Sequence, residues 1–209
     1  MLSIELFFAA AVVVTVALAA LLALRPEVTR GRGGRILAFV VLFVLPALLT
    51  AGGLQAHLEQ AKSTEFCLSC HVMEPYGESL WTEDPSFVAA SHFQNRRVPR
   101  EQACYSCHTD YTMFGDVNAK VRGLRHVWVQ YVVGPPPTEE IELYSPYRNR
   151  ECLHCHAGAR AFLENELHAE VLAELRSEEM SCLDCHGEVH EVEAVAERER
   201  WTPPGEAGE

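Results

Sequence analysis

The chain has 209 residues, 29 acidic and 17 basic side chains and a formal net charge of −12. That acidic balance argues against nucleic acid as a partner and leaves a basic protein surface as the electrostatically matched one. All eight cysteines fall after residue 66, so the N-terminal quarter and the remainder pose different physical problems.

Two apolar stretches come first, Ile4–Leu24 and Ile36–Leu54. Each is close to the roughly 20 residues that a helix needs to cross a bilayer core of about 30 Å. Pro46 lies inside the second and is expected to kink it, which membrane helices tolerate. Between them, Arg25, Arg30, Arg32 and Arg35 face a single acid, Glu27, in a short loop. Such loops mark the cytoplasmic side. The expected topology is a helical hairpin with the N-terminus outside, the arginine loop inside and everything after about Leu54 outside, in the periplasm. A cleaved signal peptide is the competing reading of the first stretch. It would begin with positive charge, whereas Met1–Ser3 has no basic side chain, and Leu24-Arg25-Pro26 lacks a small-residue cleavage site.

With Glu5, Glu27 and the four loop arginines set aside, 27 acids and 13 bases remain, a balance of −14. Strand signals are weak in this region. Val127–Val133 runs apolar and is equally compatible with a helix. Leu163–Arg176 has Leu163, Leu167, Val171, Leu172 and Leu175 at helical spacing and is expected to be one helix. Gly134-Pro135-Pro136-Pro137 is a hard break. The segment Glu191–Glu209, charged and containing Pro and Gly, is expected to be loosely ordered.

Four copies of Cys-x-x-Cys-His consume every cysteine: Cys67, Cys70 and His71; Cys104, Cys107 and His108; Cys152, Cys155 and His156; Cys182, Cys185 and His186. This is the covalent attachment pattern of a c-type haem. The two thiols form thioethers to the porphyrin edge and the adjacent histidine reaches the iron. Structural zinc and disulfides explain four identical spacings poorly. The expectation is four covalently bound c-type haems in roughly 155 residues, too few to build a conventional apolar core around sites spaced this way. Short helices and loops would then wrap over haem faces that supply much of the buried surface. The fold class that follows is mainly α: a transmembrane hairpin over 1–56, a small tetrahaem domain over 57–190 and a polar tail over 191–209.

Six histidines lie outside the motifs as the attaching residue: His57, His92, His126, His154, His168 and His190. His57 sits at the end of the second apolar stretch and marks the membrane interface. His154, between two motif cysteines, points away from its own iron and is expected to be exposed or to pack on a neighbouring porphyrin. His92 and His190 are the stronger ligand candidates, while His126 and His168 compete for the remaining position, with His126 favoured. The first motif continues as His71-Val72-Met73, and a thioether there is a soft ligand that raises a haem's reduction potential. The alternative for Met73 is ordinary packing. This is also the motif nearest the membrane in sequence, where a lipid-soluble donor would deliver electrons.

At this point the chain resembles the NapC/NirT/NrfH family of membrane-anchored quinol dehydrogenases. The resemblance runs from the second apolar stretch to about His190. It is carried by the four motifs, by Met73 after the first, and by Ser91-His92-Phe93-Gln94-Asn95-Arg96. Asn149-Arg150-Glu151 ahead of the third motif and Gly187-Glu188-Val189-His190 after the fourth complete it. It implies that menaquinol or ubiquinol is oxidised beside the first haem and that electrons pass to a periplasmic reductase or another cytochrome, with the chain alone or as a subunit of a larger complex. It also implies that Met73 rather than His71 ligates the first iron, that His92 pairs with His186 and His190 with His156, and that His126 or a partner protein completes the site of His108. Lys120 matches a lysine of the quinol site in the nitrite-reductase branch. The aspartate about seven residues further on is replaced by Val127, so Asp110, Asp116 or His126 would handle the proton. The additional helix Ile4–Leu24 is a second departure, since such proteins usually have one.

Quinol oxidation releases two electrons and two protons, so a carboxylate or histidine must stand near the hydroxyls, with Lys120 to polarise an oxygen. The competing class is a membrane-tethered carrier that relays electrons between redox proteins and has no quinol site. A terminal reductase with an open iron ranks below both, because enough histidines exist to fill the distal positions.

Overall fold

In the computed structural model, residues 2–134, 141, 143 and 145–204 are described. The described residues are helical or irregular and contain no β-strand. The chain divides into two compact units, Met1–Ala61 and Lys62–Glu209.

The first unit is a pair of long helices, α1 (Leu2–Leu24) and α2 (Arg32–Gln60), joined by a 3₁₀ turn over Pro26–Arg30. Both are apolar enough to span a bilayer, and their large hydrophobic side chains are mostly exposed. They run antiparallel: a Cβ on Gly52, near the end of α2, would meet the Phe8 ring at 3.1 Å, near the start of α1. α2 starts at Arg32 and ends at Gln60, beyond both limits expected from hydropathy alone. Its backbone widens to a π turn over Val40–Val44 immediately before Pro46. Proline offers no N–H and crowds the preceding turn, and a wider turn is the usual accommodation.

Among its described residues the second unit holds ten further α-helices: α3 (Thr64–Leu68), α4 (Glu74–Ser79), α5 (Val88–Gln94), α6 (Ala103–Cys107), α7 (Gly115–Trp128), α8 (Asn149–His156), α9 (Arg160–Leu163), α10 (Glu166–Glu170), α11 (Leu172–Ser177) and α12 (Leu183–His186). α7 continues as a π turn over Val129–Val133, so that apolar run is helical. The break after it falls at Gly134, whose φ of 94° suits glycine; Pro135–Pro137 lie outside the described residues.

The single helix expected over Leu163–Arg176 is three short ones. Asn165 ends the first by starting a second, its side chain accepting from the Leu167 and His168 N–H groups at 2.9 and 3.3 Å. Side-chain competition of this kind is why asparagine favours caps over helix interiors.

The apolar core is small. Leu80, Ala89, Phe93 and Ala103 form it, with Trp81, Val98 and Val189 against its edge. Polar staples carry the connections between cysteine-bearing helices instead. Thr64 on α3 donates to the Arg100 carbonyl at 2.7 Å and accepts from Ala103 N at 2.9 Å, tying the first motif to the second. Tyr147 donates to the Cys107 carbonyl at 2.7 Å, and Glu151 accepts from Tyr111 N at 3.0 Å, tying the second to the third. Asn149, 3 % exposed, donates to the carbonyls of Leu175 and Met180 at 2.9 and 2.5 Å and accepts from Cys182 N at 2.8 Å, tying the third to the fourth.

The C-terminal segment differs from the loosely ordered tail expected. Trp201 stacks on Trp81 with centroids 5.8 Å apart and donates its backbone N–H to the Trp81 carbonyl at 2.7 Å. The Arg100 guanidinium lies over the rings of Trp81, Phe93 and Trp201 at 5.4, 5.0 and 5.6 Å. Glu191 accepts from both Arg198 and Ala194 N, which hold its carboxyl below the usual range. Residues 191–204 therefore close over the core, and a charged composition hid two aromatic and cation–π anchors. Residues 205–209 lie outside the described part.

Asn149→Ala leaves two buried carbonyls and one N–H unpaired and should lower the unfolding free energy by about 2–4 kcal/mol in denaturant titration. Trp201→Ala, which removes a half-buried ring from a stacked pair, should cost about 1–3 kcal/mol by the same measurement.

Candidate functional site

The eight motif cysteines are free of disulfides. Cys67 and Cys104, from the first and second motifs, are in side-chain hydrogen-bond contact, as are Cys152 and Cys182 from the third and fourth. The motifs thus lie in two close pairs. Burial pushes the Cys152 thiol up to about 12 and raises Cys107 as well. Reactive redox dithiols sit in surroundings that lower the pKa, the opposite of what Cys107 and Cys152 meet. Cys104 is held to about 7 by the hydrogen bond with Cys67.

Three of the four motif histidines face a second imidazole. His92 and His156 have ring centroids 5.9 Å apart, His108 and His190 6.3 Å, and His168 and His186 6.1 Å. An imidazole nitrogen binds a first-row metal at about 2.0 Å, so two rings ligating one metal from opposite sides have centroids about 6 Å apart. The three pairs have that separation. Among the described residues no three His, Cys, Asp or Glu side chains gather as an ordinary metal-ion site requires. Paired imidazoles with a cysteine pair beside each fit a haem iron, whose other ligands come from the porphyrin.

The outer partners of these rings have the same form. His92 Nδ1 is 2.7 Å from the Val88 carbonyl and His168 Nδ1 is 3.2 Å from the Phe162 carbonyl. His190 Nδ1 is 2.8 Å from Ser79 Oγ, and Ser79 itself donates to the Tyr76 carbonyl at 2.7 Å, so its oxygen accepts from the ring. A donor Nδ1–H fixes the tautomer in which Nε2 carries the free lone pair. Burial lowers His190 to about 4 and lowers His108 and His156, so these rings are neutral, the form that binds a metal.

The pairing differs from the one the resemblance implied. His92 faces His156 rather than His186, and His190 faces His108 rather than His156. His168, the less favoured candidate, takes the place opposite His186. The break at Asn165 is the reason: it puts His168 in a new short helix, with its ring against Phe162 at 4.7 Å. His126 lies near enough to His108 for its charge to lower that group, but the ring facing His108 is that of His190. His154 is exposed and stacks on Tyr111 with centroids 3.8 Å apart, and His57 is exposed at the end of α2.

The first motif is different. Among the described residues no second imidazole faces His71, which is exposed like the other three motif histidines, while Met73 follows on the same 3₁₀ turn, half-buried. Beside this motif stands a polar cluster. Asp116 Oδ2 pairs with Lys62 Nζ at 2.8 Å, and Oδ1 accepts from Tyr105 Oη at 2.7 Å. Lys120, one turn further along α7, has its Nζ 4.5 Å from the Tyr105 ring centroid and close enough to Cys67 for its charge to act on that thiol, which the hydrogen bond with Cys104 and burial nevertheless push well up. Hydrogen bonds from Lys62 and Tyr105 hold the Asp116 carboxyl below its usual value, so it is ionised at neutral pH.

Asp116 lines an open cavity of about 560 Å³ together with Tyr105, Asp110, Tyr111, Phe114 and His154. That volume is in the range of small-molecule sites. Asp110 is buried. Its Oδ1 lies 3.4 Å from Arg150 Nη2 and makes no hydrogen bond. A Cβ on Gly115 would come within 1.4 Å of the Asp110 carbonyl oxygen, so only glycine lets α7 start against this loop. Lys62 and Tyr105 were missed by sequence reasoning. Tyr105 lies between two motif cysteines, where the motif itself draws attention, and nothing local marks Lys62 as a partner of a residue 54 positions away.

Comparison with known proteins identifies the family. The family model for the N-terminal region of the NapC/NirT cytochrome c family matches residues 32–195. The chain is 21 % identical to the cytochrome c-type protein NapC of Haemophilus influenzae over 73 % of its length and 80 % of that protein. It is 29 % identical to NapC of Paracoccus pantotrophus, over 74 % of this chain and 70 % of that one. Identity to the denitrification system component NirT of Stutzerimonas stutzeri is 24 %, over 78 % of this chain and 82 % of that one. No solved structure matches the chain. With its motif cysteines, facing imidazoles and N-terminal apolar anchor, the chain belongs to the NapC/NirT cytochrome c family of haem-carrying electron-transport proteins.

Proposed function

We propose that this chain binds four c-type haems and oxidises quinol at the membrane, delivering the electrons to a periplasmic reductase or cytochrome. The observation that carries the reading is the inequality among the four motifs. Three motif histidines have a second imidazole opposite, and the fourth has instead Met73 nearby and the Lys62–Tyr105–Asp116–Lys120 cluster beside it. Each haem, when bound, takes up one electron at a time and passes it on.

The chain's own residues supply binding and proton handling. Asp116, ionised and held by two donors, accepts a proton from a quinol hydroxyl in the cavity it lines. Asp110, buried with its Oδ1 3.4 Å from Arg150 Nη2, takes the second. Lys120 polarises a quinone oxygen. Asp116 thereby fills the role left open by Val127, from the other side of Lys120 on the same helix. His92, His168 and His190 are the distal ligands, held by Val88, Phe162 and Ser79, while His71 and Met73 remain for the first iron. The arginine loop faces the cytoplasm and residues 57–190, with the packed tail, face the periplasm. The relative named as a denitrification system component favours a respiratory acceptor.

Purified protein in detergent should reduce its haems with a menaquinol analogue, and Lys120→Ala and Asp116→Asn should slow that reduction about 100-fold. Unchanged rates in both variants would instead indicate a tethered carrier without a quinol site. Because its carboxyl is held low, the acid limb of the rate profile should lie below the ordinary aspartate value of about 3.9. Lys62→Met should move that limb upward, since the leading stabiliser of the ionised form is gone. In a spectroscopic count of low-spin haems, His168→Ala should lose one bis-histidine signal and His126→Ala none.

A further inference from the structure

The surface of α7 is not explained by the quinol reading. Val117, Val121, Leu124, Trp128 and Tyr131 recur at alternating steps of four and three residues. They share an arc of roughly 100° on a helix of 3.6 residues per turn. All five are exposed, Val121 by 62 %, Leu124 by 65 % and Tyr131 by 80 %. Phe114, just before the helix, and Val132, in the π turn that extends it, lie on the same side and are exposed too. A stripe of this length on a soluble surface would be a large apolar patch, and such patches mark contact sites.

The charge of the segment identifies the contact. The chain is strongly acidic, yet α7 carries Lys120, Arg122 and Arg125 against Asp116 alone, and Asp116 is already paired with Lys62. Lys120 and Arg125 flank the apolar arc on its two sides. Trp128 and Tyr131, at the far end of the stripe, are the residue types enriched where hydrocarbon meets water. Exposed apolar stripe, flanking cations and terminal aromatics are together the pattern of a helix lying in an interface plane.

We propose that α7 is an interfacial helix, its Val117–Tyr131 face sunk into the surface of an anionic bilayer and Arg125, at the edge of that face, among the headgroup phosphates. The same chain already carries two helices of bilayer-spanning length, so the surface it needs is at hand. The inference rests on the exposure and charge of α7 and stands whether or not quinol is the donor. A protein partner, including a second copy of this acidic chain, is the competing occupant.

The test uses the full chain with its haems, reconstituted in nanodiscs of phosphatidylglycerol and phosphatidylethanolamine. Single nitroxide labels are attached at Val121→Cys, Leu124→Cys and, on the polar face, Arg122→Cys; an unchanged haem spectrum certifies each variant. Collisions with a water-soluble nickel chelate should fall about fivefold at 121 and 124 relative to 122, while collisions with oxygen rise, as for side chains in hydrocarbon. Nickel access equal at all three positions would overturn the proposal. Protection from both nickel and oxygen at 121 and 124 would overturn it too, and assign the face to a protein contact. Two positions on the stripe keep the reading independent of the fate of either variant.

Discussion

Facing imidazoles about 6 Å apart, each outer ring held through Nδ1, are the arrangement on which the second unit depends. A ring so held keeps Nε2 as its nitrogen with a free lone pair. The three anchors are a backbone carbonyl on α5, a backbone carbonyl on α9 and a serine hydroxyl on α4. Short helices too weak to persist alone are thereby aimed at common points. With Leu80, Ala89, Phe93 and Ala103 as its core cluster and few other buried apolar side chains among the described residues, the unit relies on those points and on the Thr64, Glu151 and Asn149 staples for its geometry.

The same economy explains the asymmetry of the sites. Where an imidazole faces a motif histidine, the rings of His108, His156 and His190 are held neutral. Near the first motif and within the second, charge is arranged as Lys62–Asp116–Tyr105 with Lys120 above the Tyr105 ring. A carboxylate held ionised next to an open cavity suits proton acceptance. Gly115 allows both the helix carrying Asp116 and Lys120 and the loop carrying Asp110 to reach the same cavity.

Much of the fold was legible because hydrophobicity over 20 residues outweighs local detail: α1 and α2 appear where the apolar stretches lie, with ends displaced by a few residues. Local competition was less legible. Leu163–Arg176 has helical spacing throughout, but the side chain of Asn165 satisfies two N–H groups that a continuous helix would have paired with carbonyls. That one cap moved His168 into the place facing His186. The tail was misjudged for a related reason. Its composition is charged, but Trp201 and Arg198 each find a partner more than composition can report.

The sequence by itself determined the chemistry and the class: four Cys-x-x-Cys-His motifs, a membrane anchor, a methionine after the first motif and a mainly helical chain around them. Covalent attachment requires a fixed local spacing, and spacing is written in the chain. Only the tertiary structure decided which histidine faces which, that Asp116 rather than a residue near Val127 stands with Lys120, and that Lys62 and Tyr105 hold it. The facing histidines and the Lys62–Asp116 pair join residues far apart in the chain, and these relations depend on where caps, staples and a single glycine turn the backbone.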